Sequence, residues 1–212
     1  MFVRLKDGMN YLSYALYAFG ALGFEAVLAY GFEPVLYGCQ MDDWNSWQKV
    51  CHWIMTCVVW GLMTFFICKS SEKRYSVNLF QKAEKIRPGQ WLCIIIGVWL
   101  CLLSTWIDWG GSKVISEFRK RGPLLFSFQY VYYLFEVALV LMIIVFGQIA
   151  LEKWFGNDRI PYGGIVVALT WGLGHWMTKG SLFAGIYTAL GGFVFGSVYL
   201  LTNRNIKLSY FY

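Results

Sequence analysis

Gln148 and Glu152 stand four residues apart, so on a helix they share one face, and His175 follows in the stretch LTWGLGHWMTKG with Lys179 one turn beyond it. A carboxylate that activates water, with a histidine on a facing helix to hold that water or stabilise an oxyanion, makes a minimal hydrolytic pair. The same residue types also make a Glu/His/Lys hydrogen-bond cluster that clamps two helices, and type and spacing leave both readings open. Two further acids, Glu25 and Glu136 (in YLFEVALVL), sit inside long apolar runs. An ionisable group placed there is costly and faces a cavity or a partner. Each is either a protonated or hydrogen-bonded structural carboxyl, or part of a site for a small cationic or aromatic ligand held by charge pairing and cation–π contact. One histidine and one glutamate fall short of the three protein ligands of a catalytic zinc, so no metal and no cofactor is expected.

The elements that must carry these residues follow from composition. The chain has 212 residues, 58% of them hydrophobic and only 14% charged, and a mean hydropathy of +0.50. A soluble domain carries roughly a quarter charged residues. A membrane helix uses about 20 apolar residues, so six crossings take about 120 positions and leave no room for a soluble domain of ordinary size. That excludes a large globular head, an anchored nucleotide-binding enzyme and a water-soluble nucleic-acid binder. Stretches such as IIIGVWLCLL do not alternate, which argues against an outer-membrane barrel. The expected fold is all-α, a polytopic bundle with crossings at about 11–37, 48–68, 91–107, 124–150, 163–178 and 181–202. Residues 1–123 form a three-span part and 124–212 a second one within a single membrane domain.

Orientation follows from lysine and arginine in the connections. With the N-terminus cytoplasmic, that side holds Arg4, Lys6, Lys69, Lys73, Arg74, Lys82, Lys85, Arg87, Lys153, Arg159, Arg204 and Lys207. The other side holds Lys49, Lys113, Arg119, Lys120, Arg121 and Lys179, so the positive-inside rule places both termini in the cytoplasm, with ISEFRKRG as the exception. The first apolar run is too long for a signal peptide and contains Glu25, so it reads as an uncleaved helix. The basic loop 69–87 reads as a topology determinant that touches anionic headgroups. Cys39 and Cys51 flank CQMDDWNSWQKVC and either close it with a disulfide or remain free thiols. Ala184, Thr188, Gly192 and Gly196, with Gly185 and Ala189 beside them, form a small-residue helix face, for close packing within the chain or for a dimer.

The stretch GQIALEKWFGNDRIPYGGIVVALTWGLGHWMTKGSLFAGIYTALGGFVFGSVYLLTNRNI resembles the CAAX protease and bacteriocin-processing (CPBP, or Abi) family of intramembrane proteases. In that family EExxxR ends one helix, FxxxH lies on the next, a glycine-rich helix follows, and a polar turn leads to a last helix bearing HxxxN or HxxxD. Trp171 to His175 matches FxxxH with Trp for Phe, Gly191, Gly192 and Gly196 match the glycine-rich helix, and LLTNRNI matches the turn. Where the paired glutamates belong, the chain has Gly147 and Gln148 or, in another register, Glu152 and Lys153, and the last motif helix falls beyond Tyr212. The resemblance implies a CPBP-like three-helix core over 124–212 in a divergent or inactive member. If active, it implies peptide-bond hydrolysis near the cytoplasmic face, with Glu152 activating water, His175 as its partner and Gln148 as a polar contact.

Two other readings use the same residues differently. A small-molecule binding or transport subunit would depend on Glu25 and Glu136. A scaffold would bind only a peptide or another membrane protein and depend on no single polar residue. All three readings expect a lipid bilayer, a bacterial cytoplasmic membrane as location, and no nucleic acid.

Overall fold

A computed structural model describes residues 2–80 and 83–211. Lys82 and Tyr212 lie outside the described residues, as does the side chain of Arg4. All regular structure among the described residues is helical: α1 (Phe2–Val27), α2 (Glu33–Tyr37), α3 (Ser46–Tyr75), α4 (Pro88–Trp109), α5 (Lys113–Phe155), α6 (Tyr162–Val167), α7 (Leu173–Lys179), α8 (Leu182–Leu201) and α9 (Ile206–Phe211). Five helices are long and apolar enough to cross a membrane: Leu5–Tyr37, Ser46–Tyr75, Pro88–Trp109, Lys113–Phe155 and Leu182–Leu201. The expected crossing at 163–178 is helical but is not one of these five. It is built from α6, a π turn over Ala168–Gly172 and α7.

The most apolar of these helices is α5, and its stretch LVLMIIVFGQ, Leu139 through Gln148, is buried on every side. A helix that is hydrophobic all round belongs in the centre. α1 and α3 pack on one side of it, α6 and α8 on the other, and α4 leans on α8. Small residues set the spacing. Ala15, Ala18 and Ala21 of α1 are all but fully buried. A Cβ on Gly196 would overlap the backbone of Gly164, one on Gly172 the backbone of Ala189, and one on Gly192 would come within 3.1 Å of Val167. The small-residue face of α8 is therefore filled by α6 and α7 of the same chain.

Three departures from regular helix aim the polar residues. A π turn over Leu28–Phe32 precedes Pro34, absorbs the missing N–H and the ring's clash with the preceding turn, and leaves Glu33 with 0% exposure. The π turn over Ala168–Gly172 carries Trp171. In α5, Gly122 adopts φ 73° and ψ 170° just before Pro123, so residues 113–121 break away from the rest of the helix. This short segment is the ISEFRKRG exception of the charge count, and Val114, Ile115 and Phe118 on it stay exposed. Cys39 and Cys51 are free thiols. At the other end, α9 returns along α5, and the Tyr210 hydroxyl donates to the Leu134 carbonyl at 2.9 Å. Burial raises the Tyr210 phenol above its ordinary range.

The backbone contact between Gly164 and Gly196 leaves no side-chain atom to move aside. Gly196→Ala is expected to lower stability by the upper part of the about 1–3 kcal/mol typical of overpacking, while Gly191→Ala, which would meet nothing within 4 Å, leaves it unchanged. Thermal unfolding of the purified variants in detergent checks both.

Candidate functional site

Two groups of polar residues bear on a site. At the first, Glu152 Oε1 accepts from Gln148 Nε2 at 2.6 Å and from Arg204 Nη2 at 2.8 Å. Gln148 also donates to the Ile160 carbonyl at 2.9 Å and accepts from the Gly163 N–H at 2.8 Å. Arg204 sits at φ 62°, next to Asn203 at φ 53°. Left-handed conformation is costly for a side chain of this kind. Hydrogen bonds from the two amides to Leu200 and Tyr199 hold that turn, which delivers the guanidinium to Glu152. Every polar atom of Gln148 is thus used, and the side chain is 1% exposed. The group ties the 156–161 turn and the end of α8 to α5.

His175 is elsewhere. Its Nδ1 bonds the Trp171 carbonyl at 2.9 Å, within its own helix. The Trp171 indole donates to Glu136 Oε1 at 2.9 Å. Glu136 lies sixteen residues before Glu152 on α5, about 24 Å along the axis. Of the three residues expected to form a hydrolytic set, Gln148 and Glu152 meet, and His175 keeps company with the level of Glu136 instead.

The second group surrounds His52. Its Nδ1 is 2.6 Å from Glu33 Oε2, and its Nε2 is 3.6 Å from Glu25 Oε1. His52 is 4% exposed and Glu33 0%, while the Glu25 side chain keeps 36%. The Trp44 ring closes one side of the imidazole, with centroids 5.4 Å apart. The buried Tyr132 hydroxyl faces Glu25, and Tyr132 packs on Trp60 with centroids 4.8 Å apart. The charged neighbours of Glu136 are Glu25, Lys113 and Lys179. Lys113 lies over the rings of Trp109 and Tyr133, at 5.6 and 5.3 Å.

Beside this group the broken segment of α5 folds Glu117 inward, where it accepts from Gln129 at 3.2 Å, Tyr130 at 3.1 Å and Tyr133 at 3.2 Å. Three buried side-chain atoms lack a partner among the described residues: Glu33 Oε1, Thr56 Oγ1 and Gln129 Oε1. Thr56 is one turn from His52 on α3, so all three lie with the acids and none with the Gln148 clamp. Buried polar groups are satisfied as a rule, so this concentration marks the acid end as the unfinished one. No group of three or more His, Cys, Asp or Glu side chains able to hold a metal occurs among the described residues.

Sequence reading named Glu25 and Glu136 but passed over Glu33, His52, Glu117 and Arg204. A histidine in an apolar span is as costly as an acid, so His52 carried a signal of its own. Glu33 was hidden because the π turn before Pro34 is what turns it inward. Arg204 was counted only as a topology charge.

Removing His52 leaves the fully buried Glu33 carboxylate unpaired. His52→Leu is therefore expected to cost about 3–5 kcal/mol, and Glu33→Gln in the same chain to recover part of it. Glu152→Gln keeps its hydrogen bond to Gln148 and loses a part-exposed ion pair, for about 1 kcal/mol or less. Unfolding of the three variants in detergent gives the ranking, and the reverse order would make the clamp rather than the acid group the main support. No family model, no curated protein and no solved structure matches the chain, so its geometry alone speaks to its function.

Proposed function

We propose that this chain is an integral membrane protein that crosses the bilayer six times, with both termini cytoplasmic, and binds a small organic cation at the acid–histidine–aromatic group. The observation that carries this reading is the arrangement of Glu33 and Glu25 on the two nitrogens of one imidazole. His52 supplies at most one positive charge, so with both acids ionised one carboxylate is left unbalanced, and burial makes that arrangement costly until a cation joins it. Glu25 is the open member. Tyr132 and the Glu136–Trp171 pair extend the site with aromatic faces and a third carboxylate, the combination that suits an ammonium or guanidinium group. The unpartnered acceptors Glu33 Oε1 and Gln129 Oε1 favour a ligand with N–H donors.

Hydrolysis is the weaker reading for this geometry. Glu152 Oε1 is held by Arg204 and by the Gln148 amide, and a water-activating base needs its histidine within reach, whereas His175 is bonded to the Trp171 carbonyl. The six crossings rest on 162–179 serving as the fifth, and the orientation rests on the distribution of lysine and arginine.

Methylammonium chloride is the probe, with sodium chloride at equal ionic strength as the control. It should raise the melting temperature of the purified protein and of Glu152→Gln. Glu25→Gln and Glu136→Gln should each weaken the effect by at least about thirtyfold in concentration, as expected for loss of about 2 kcal/mol or more from a buried charge pair. No stabilisation in any form, together with peptide cleavage that needs Glu152 and His175, would reverse the reading.

A further inference from the structure

A groove of about 460 Å³ runs between α3 and α5 on the face away from α6 and α8. Trp53, Cys57 and Gly61 line it from α3, and Phe128, Val131 and Phe135 from α5. Its walls are almost wholly apolar side chain, and Ile54, Val58, Leu62 and Val131 at its rim are about half exposed. At one end the Arg121 guanidinium lies 5.7 Å from the centre of the Trp53 ring. Arg119 and Lys120 precede it and are exposed, whereas the acid of the same segment, Glu117, is turned inward and bound by three donors. The mouth of the groove is therefore cationic and its length apolar.

We propose that this groove is a binding site for one anionic phospholipid, with an acyl chain between α3 and α5 and the headgroup phosphate on Arg121. Length suits a lipid. From Trp53 to Leu62 is nine residues, about 14 Å of helix. One leaflet of a hydrocarbon core about 30 Å thick is about 15 Å deep, so the groove matches one acyl chain in length. Charge selects the headgroup. A tryptophan and an arginine stacked together stand at headgroup level in membrane proteins, and a basic triplet there attracts anionic lipid. Glycine at position 61 keeps the groove open toward Phe135, whose ring a Cβ would already approach to 3.0 Å. The site also gives a use to Arg121 in FRKRG, the one stretch that runs against the charge asymmetry of the chain.

The test is lipid retention by the full chain purified in detergent, measured by native mass spectrometry after addition of dioleoylphosphatidylglycerol or dioleoylphosphatidylcholine. One phosphatidylglycerol per chain should be retained in preference to phosphatidylcholine. Arg121→Gln should weaken that retention about fivefold, as for removal of one basic residue from a headgroup contact. Val58→Trp fills the groove from an exposed position that the fold does not depend on, and should displace both lipids. Equal retention of the two lipids, or retention unchanged in both variants, would overturn the proposal. A lipid-free wild-type dimer that Val58→Trp dissociates would assign the groove to a second copy instead.

Discussion

Close approach of helix backbones around α5 is the constraint on which the rest of this structure depends. In a bilayer, apolar side chains gain little by leaving lipid for protein, so association relies on tight van der Waals packing and on polar groups that find partners. Ala15, Ala18 and Ala21 let α1 lie against α5, and Gly164 against Gly196 lets α6 lie against α8. Only with that spacing can Trp171 reach Glu136 from the α6–α7 arm, and only then can Gln148 accept from the Gly163 amide. The polar groups do not hold the bundle together from outside it. They are placed by a packing that small residues permit.

The two polar groups then differ in kind. The one at Gln148 is closed: amide, carboxylate, guanidinium and two backbone groups account for one another. Its product is a fixed 156–161 turn and a fixed end of α8 where α5, α6 and α8 meet. The one at His52 is open, with two carboxylates on one imidazole, a part-exposed Glu25 and unpartnered acceptors around it. Incompletely satisfied polar networks are costly in low dielectric, and the structure supports this one with two π turns and the break at Gly122. Irregular helix of this sort is frequent at functional sites, and here each irregularity aims a member of the open group or of its neighbour at Glu117.

The likeness to intramembrane proteases rests on Trp171, His175, the glycines of α8 and the LLTNRN turn. The packing gives those residues distinct duties. The glycines close α8 onto α6 and α7, the turn delivers Arg204 to Glu152, and Trp171 serves Glu136. Each is a structural use that the same residue types permit, so the motifs alone do not separate a catalytic arrangement from a packed one.

Much of the architecture was legible in the residues. Long apolar runs can satisfy their backbone in hydrocarbon only as helices, so all-α structure and the approximate positions of five apolar helices follow from composition and punctuation alone. The small-residue face of α8 was equally plain, and Glu25 and Glu136 stood out because charge in an apolar run is rare. Which polar residues meet was not legible. His52 and Glu33 lie nineteen residues apart, Glu152 and Arg204 fifty-two, and no local periodicity links such pairs. Their partnership depends on which helices pack on α5 and at what height. It depends also on π turns, which shift the face of a residue by an amount that regular spacing does not contain. The sequence by itself determined that this chain is a bundle of apolar helices with a few misplaced charges. The tertiary structure decided that Glu152 is clamped and Glu25 is open, because a side chain's partners are set by the distance between backbones.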